Sequence, residues 1–358
     1  MTEAKQSTTM ESAALHESVV RAAQKAKVAS AALASSTLQQ RNRILQYAAD
    51  KMADAEKSIL EANQGDLSRA QAMLSDGSIS QSMVDRLKVD STKLGAIISG
   101  VYQVAEQADP LGNVTLAREL DEGLQLFRVS CPIGVIAVIF ESRPDALPQI
   151  ASLSLKSGNA VILKGGSEAR LTNSVLFDCF RKGLNRAGVN PDCIALFETR
   201  EAVTALLQAE EYVDLVVPRG SNQLVKSIQD STRIPVLGHA EGVCHLYVDR
   251  SADLTMALNI LVDAKTQYPA ACNSVETLLL HATVAPEFIT ELGTRWQSGK
   301  SKLRLVCDHH VMSLLPNNFP LAAQAIGGES EWRTEYSDQI LSVKVVESMS
   351  EAISHINK

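Results

Sequence analysis

The residue best placed for covalent chemistry is the cysteine of Gln267-Tyr-Pro-Ala-Ala-Cys-Asn-Ser-Val-Glu-Thr-Leu278. Cys272 follows a proline turn and precedes the apolar run Leu278-Leu279-Leu280, the pattern of a thiol carried on a loop that leads into a strand. A sulfur presented there can attack a carbonyl, and neighbouring backbone N–H groups lie within reach of the oxyanion that forms. Asn273 beside it is a second candidate catalytic residue. The competing reading is a small buried hydrophobe, which most unbridged cysteines are. Only the company Cys272 keeps can decide between the two.

Three other segments carry groups suited to an anionic ligand. In Ala160-Val-Ile-Leu-Lys-Gly-Gly-Ser-Glu-Ala169 a strand ends on Lys164, glycines follow, and a helix begins. Gly165 and Gly166 let a ligand approach the backbone, and Lys164 supplies charge for a ribose or phosphate; a plain strand–helix turn is the alternative. In Val216-Val-Pro-Arg-Gly-Ser-Asn-Gln223 a strand delivers Gly220 and Ser221 to a helix start, where free N–H groups suit a pyrophosphate. In Phe140-Glu-Ser-Arg-Pro-Asp145, Arg143 could fork onto a carboxylate or phosphate and Ser142 could donate to an oxyanion; a structural Glu141–Arg143 pair is the alternative. His239 and His245 could bind phosphate or tune the thiol, or be structural histidines bonded to backbone.

Two familiar phosphate motifs fail. No G-x-G occurs, so the usual dinucleotide fingerprint is absent. Gly293-Thr-Arg-Trp-Gln-Ser-Gly-Lys-Ser301 imitates a P-loop but has the wrong spacing and follows a helix. Cys131, Cys179, Cys193, Cys244, Cys272 and Cys307 form no C-x-x-C pair, so neither a metal site nor a dithiol motif is expected.

These residues need a scaffold. The chain has 358 residues, long enough for two domains, with 45% hydrophobic and 21% charged residues, as in a soluble globular protein. A net charge of −7, with no Lys/Arg run, excludes an electrostatic nucleic-acid footprint. The polar N-terminus lacks a secretory apolar stretch, nothing approaches a membrane span, and scattered single thiols suit a reducing cytoplasm.

Helices are expected over 11–34, with Leu15, Val19, Ala23 and Val28 as the apolar stripe, over 37–63, and over 91–106. Two alternating runs around Asp121-Glu-Gly123 predict a hairpin over 114–129, which pairs with a partner subunit or is an ordinary surface hairpin. From residue 133, apolar runs at 134–140, 160–164, 193–197 and 213–217 alternate with helical segments, a βαβ series that implies a doubly wound parallel sheet. Short strands follow near 234–237 and 244–248. A second α/β series has a helix at 252–266 and strands near 277–281, 303–306 and 341–346, with a domain change near 236.

Taken in order, Pro132-Ile-Gly-Val-Ile-Ala-Val-Ile-Phe-Glu-Ser-Arg-Pro-Asp145, Leu163-Lys-Gly-Gly-Ser-Glu168, Ile234-Pro-Val-Leu-Gly-His-Ala-Glu-Gly-Val-Cys-His245 and Ala271-Cys-Asn-Ser-Val-Glu-Thr277 resemble the γ-glutamyl phosphate reductase branch of the aldehyde dehydrogenase superfamily. The resemblance covers nearly the whole chain. It implies an α/β, aldehyde dehydrogenase-like fold: an NADPH-binding domain at 1–112 and 131–235, an oligomerisation hairpin at 113–130, and a catalytic domain at 236–358. It also implies NADPH-dependent reduction of L-glutamyl 5-phosphate to L-glutamate 5-semialdehyde, in proline biosynthesis, by a cytoplasmic homo-oligomer. Cys272 would be the nucleophile with Ser142 and Asn273 in support. Lys164, Gly165, Gly166, Ser167, Gly220 and Ser221 would hold the cofactor, and Arg143 and His239 the substrate. Ser167 stands where NAD-preferring relatives carry a ribose-binding glutamate, which points to NADPH. The region of the hydrolytic glutamate base is rearranged over Gly238–Cys244, as suits an enzyme with no water to activate. The family continues beyond Lys358, so the chain reads as truncated. Two alternatives stay open: another acyl reductase, such as one using an acyl-CoA thioester, and a non-catalytic subunit that only binds cofactor or partner.

Overall fold

The computed structural model describes residues 2–79, 81–141, 143–220, 222–238, 242–269, 271–297 and 303–358, without the side chains of 2–12, 82, 200, 222 and 297. Its contacts divide the chain into two units, Met1–Ala240 and Glu241–Lys358. The sequence placed the change near 236.

The first unit opens with helices α1 (Thr2–Ala34), α2 (Leu38–Asp54), α3 (Glu56–Ser75), α4 (Gln81–Leu87) and α5 (Ser91–Glu106). Val19, Ala23, Ala26, Ala29 and Leu33 form the buried stripe of α1, whereas Val28 is 72% exposed and does not belong to it. The single helix expected over 37–63 is two, because the chain turns at Ala55, which caps the end of α2 and the start of α3. Thr37 and Gln40 close a capping box at the start of α2.

Strands β1 (Val114–Asp121) and β2 (Leu124–Val129) form the hairpin, antiparallel and exposed at every residue. The turn uses Gly123 at φ 72°, a left-handed conformation that favours glycine.

Next come β3 (Val135–Phe140), α6 (Ala146–Lys156), β4 (Ala160–Lys164), α7 (Arg170–Arg186), β5 (Ile194–Phe197), α8 (Arg200–Leu207), β6 (Leu215–Arg219) and α9 (Asn222–Ser231). All four strands are parallel in the order β5-β4-β3-β6. Every residue of β3 and β4 is buried, as strands covered on both faces must be. The chain runs from β3 to β4 to β5 and then returns to the other side of β3, making a topological switch between β3 and β6. The strand expected over 234–237 is a single bridge, Val216 to Val236, because Pro235 has no N–H to continue a ladder.

The second unit contains β7 (Cys244–Val248), α10 (Leu254–Thr266), β8 (Val275–His281), α11 (Ala285–Gln297), β9 (Arg304–Cys307), α12 (His309–Leu314), β10 (Ala322–Ala325), β11 (Ile340–Val346) and α13 (Met349–Ile356). Its five strands are parallel in the order β10-β9-β11-β8-β7, around a core of residues such as Leu261, Leu278, Leu280, Phe288 and Leu341. β8 is buried throughout. The chain thus carries two parallel sheets flanked by helices, the α/β architecture the sequence indicated. Among the described residues no helix is long and apolar enough to cross a membrane.

Candidate active site

Burial sorts the cysteines. Cys179, Cys193 and Cys307 are buried, and burial pushes their thiols up to about 11, about 12 and about 12, which keeps them protonated and inert. Cys131 and Cys272 are exposed and Cys244 is half-buried.

Cys272 lies between the end of α10 and the start of β8, on a turn closed by Ala271 N–H to Tyr268 C=O at 3.0 Å and Ser274 N–H to Ala271 C=O at 2.9 Å. Those bonds use the amides of Ala271 and Ser274 and not those of Cys272 and Asn273, which is also exposed. The turn is stapled at its base. The Ser274 hydroxyl donates to Ala264 C=O at 3.0 Å, and Lys265 Nζ meets Glu276 Oε2 at 2.8 Å with both side chains at or below 1% exposure. Glu276 Oε1 accepts from Ser337 N–H at 3.2 Å, which ties in the segment before β11. Burial is the main influence on the Glu276 carboxyl and raises it, against Lys265 and the backbone donors. Glu276 supports the loop; its oxygens are spent on structure.

Two more groups border the turn. Cys244 Sγ donates to Cys272 C=O at 3.6 Å, and Glu335 accepts from Gly242 N–H at 3.3 Å. Glu335 escaped sequence reasoning, since nothing local in Trp332-Arg-Thr-Glu-Tyr336 marks it. His245 is half-buried, bonded to the Val243 backbone and edge-on to His355 at 5.5 Å, a structural setting that lowers its pKa by burial.

In the first unit, the candidate cofactor residues lie at the carboxyl edge of the sheet. Lys164 is 8% exposed and pairs across the strands with Ile139 and Phe197. A Cβ at Gly165 would stand 2.5 Å from Asn173 Nδ2, and one at Gly220 2.7 Å from Glu141 Oε2. Gly165 therefore needs glycine for space against buried Asn173, whereas the end of the Glu141 side chain beside Gly220 is exposed and can move. Ser167 is exposed and begins a short 3₁₀ turn before α7. Phe140 and Arg219 are cross-strand partners, so the segments starting at Glu141 and Gly220 leave the sheet side by side at the switch between β3 and β6. Arg143, exposed, belongs to the first of these.

The start of α7 is occupied. Asp66, fully buried on α3, accepts from Leu171 N–H at 3.1 Å, Thr172 N–H at 2.8 Å and Thr172 Oγ1 at 2.7 Å, and pairs with Arg69. A carboxylate thus already fills the anion-binding end of that helix. The other strand–helix turn singled out from sequence, at Gly220, remains the candidate for a pyrophosphate. Glu141 beside Gly220 has the wrong sign for it, and Arg143 and Arg219 carry the opposite charge nearby. Ser142, Ser221 and His239 lie outside the described residues, as does most of the P-loop-like stretch after Gln297. Among the described residues no group of three or more His, Cys, Asp or Glu could hold a metal ion.

Residues 3–305 match the sequence model of the aldehyde dehydrogenase family. The gamma-glutamyl phosphate reductase of Cyanothece sp. is 50% identical over 317 residues, 88% of this chain and 70% of the relative. That of Pelotomaculum thermopropionicum is 48% identical, over 94% of this chain and 74% of the relative. The crystal structure of the Thermotoga maritima gamma-glutamyl phosphate reductase superposes with a TM-score of 0.84 at 32% identity, covering 95% of this chain and 80% of that one.

Proposed function

We propose that this chain, which belongs to the aldehyde dehydrogenase family and within it to the gamma-glutamyl phosphate reductases, reduces L-glutamyl 5-phosphate to L-glutamate 5-semialdehyde with release of phosphate, a step of proline biosynthesis. The observation that carries the mechanism is Cys272, exposed on a turn that two buried staples fix.

The Cys272 thiolate adds to the acyl carbon and the C–O bond to phosphate breaks, leaving a thioester on the protein. Phosphate departs without needing a proton. The Cys272 amide, with Asn273 and Ser142 as further candidate donors, holds the oxyanion. The nicotinamide cofactor, when bound, supplies the hydride. The resulting thiohemiacetal collapses to aldehyde and returns the thiolate. Arg143 and His239 are the candidate groups for the substrate's anionic ends.

NADPH is the proposed cofactor. Lys164 supplies charge, and Ser167 presents no carboxylate against a 2′-phosphate. The exposed apolar ribbon, with Leu116, Leu126 and Phe127 each at least 42% exposed, is proposed as the arm by which copies associate in the cytoplasm. Phe127→Asp should then lower the mass seen by light scattering; an unchanged mass refutes the arm.

The test of function is semialdehyde-driven, phosphate-dependent reduction of NADP by the purified chain beside Cys272→Ala. Turnover by the first and none by the second supports the proposal. Cofactor binding without turnover would indicate a non-catalytic subunit, and turnover with an acyl-CoA product instead would indicate the other acyl reductase.

A further inference from the structure

The second unit holds two sulfur atoms at one turn. Cys244, at the start of β7, points its Sγ at the Cys272 carbonyl, 3.6 Å away. β7 and β8 pair so that Cys244 lies opposite Val275, and Cys272 lies in the turn just before it that Ser274 N–H to Ala271 C=O closes. Gly242 brings the backbone before Cys244 so close that a Cβ there would stand 3.3 Å from the same carbonyl. Solvent reaches Cys272 freely and Cys244 in part.

We propose that Cys244 is a resolving thiol for Cys272, so that a hydroperoxide converts the pair to a Cys244–Cys272 disulfide. Cys244 Sγ at 3.6 Å from the Cys272 carbonyl puts the two residues in direct contact, and the bond requires their Cα atoms to come within about 7 Å with the Cβ atoms facing. The Cys244 thiol is pushed up by burial first and then by the neighbouring Cys272 sulfur, so Cys272 is the member expected to react first.

The chemistry balances in two steps. The Cys272 thiolate attacks one peroxide oxygen; an S–O bond forms, the O–O bond breaks, and hydroxide leaves, so sulfur is oxidised to the sulfenic acid and the peroxide is reduced. The Cys244 sulfur then attacks the sulfenic sulfur. The S–S bond forms, the S–O bond breaks, and the departing hydroxide takes the Cys244 proton to leave as water. Such a bond would protect the nucleophile from further oxidation to the irreversible sulfinic and sulfonic acids and would return to two thiols with a reductant.

The inference rests on Cys272 being the reactive thiol, but its test does not need turnover. The full chain is exposed to hydrogen peroxide, free thiols are alkylated, and the unreduced digest is read by mass spectrometry. The expected product is one cross-linked peptide pair containing Cys244 and Cys272, lighter than the two thiol peptides by two hydrogen atoms and split by dithiothreitol. In Cys244→Ser, Cys272 should instead accumulate as sulfinic and sulfonic acid, and dithiothreitol should no longer restore its alkylation. Cys272 over-oxidised in the unaltered chain without the cross-link, or bridged to a different cysteine, overturns the proposal. Loss of reductase activity in all preparations would bear on the proposed function alone, since the peptide masses are read regardless.

Discussion

Lys265 and Glu276 form an ion pair at 2.8 Å in which neither side chain exceeds 1% exposure, and it joins the end of α10 to the start of β8 directly beneath Cys272. Burying two charges carries a desolvation penalty, which attraction and the Ser337 N–H bond to Glu276 must offset. Removing one partner strands the other. Glu276→Leu or Lys265→Met alone should therefore cost about 3–5 kcal/mol in urea unfolding. The double variant should recover most of that loss, yet remain slower in Cys272 alkylation if the pair also sets the turn's geometry. A double variant whose loss is the sum of the two single losses would show that the pair is not coupled.

Asp66 should matter to the first unit in a similar way. Its carboxylate receives three donors at the start of α7, the helix that follows Lys164-Gly165-Gly166. Asp66→Ala removes a helix cap and leaves buried amides unpaired, for an expected cost of about 2 kcal/mol or more. Weaker NADP binding measured by titration calorimetry should accompany it. Full stability in Asp66→Ala would refute the capping role.

A pH dependence follows from His355. Burial first, then Lys344 and His245, lower its pKa from 6.5 to about 4, with Glu329 opposing and Lys358 adding to the fall. Trp332 covers one side of the ring, edge-on at 5.2 Å. Between those two values the unfolded chain holds more protons than the folded one, so stability rises with pH across that window. It is present in full above about 6.5 and is lost as pH falls toward 4. His245, also lowered by burial, acts in the same direction. The urea midpoint of the second unit should drop from pH 7 to pH 5, and His355→Gln should lose the larger part of that drop. The same slope in both proteins would count against it.

Much of the scaffold was readable because β3 and β4 are covered on both faces, and such strands read as near-continuous apolar runs, as does Leu278-Leu279-Leu280 within β8. The hairpin announced itself through Asp121-Glu-Gly123. The division between α2 and α3 did not, since Ala55 is neither proline nor glycine and the helical period runs through it. β10 is Ala-Ala-Gln-Ala at a sheet edge, with no β-branched residue to mark it. For the site, residue types alone nominate Cys272 and the glycine turns as candidates. What holds them could not be read, because Asp66, Glu335 and the Lys265–Glu276 pair act through neighbours that only the fold brings near.

Cofactor choice can be separated from stability at Ser167, which is exposed at the start of the 3₁₀ turn between β4 and α7. Ser167→Glu places a carboxylate where a 2′-phosphate is proposed to lie. The ratio of kcat/KM for NADPH over NADH should fall by about tenfold or more, given the size of like-charge repulsion near a protein surface. An unchanged ratio would move the 2′-phosphate elsewhere.

The most direct measurement is a rapid acid quench of the chain mixed with L-glutamyl 5-phosphate in the absence of cofactor, followed by mass mapping of the peptide bearing Cys272. A glutamyl group bound to that sulfur, and discharged on later addition of NADPH, is the predicted result. Product formation by an enzyme whose Cys272 is never found acylated, or which survives Cys272→Ala, would contradict the mechanism.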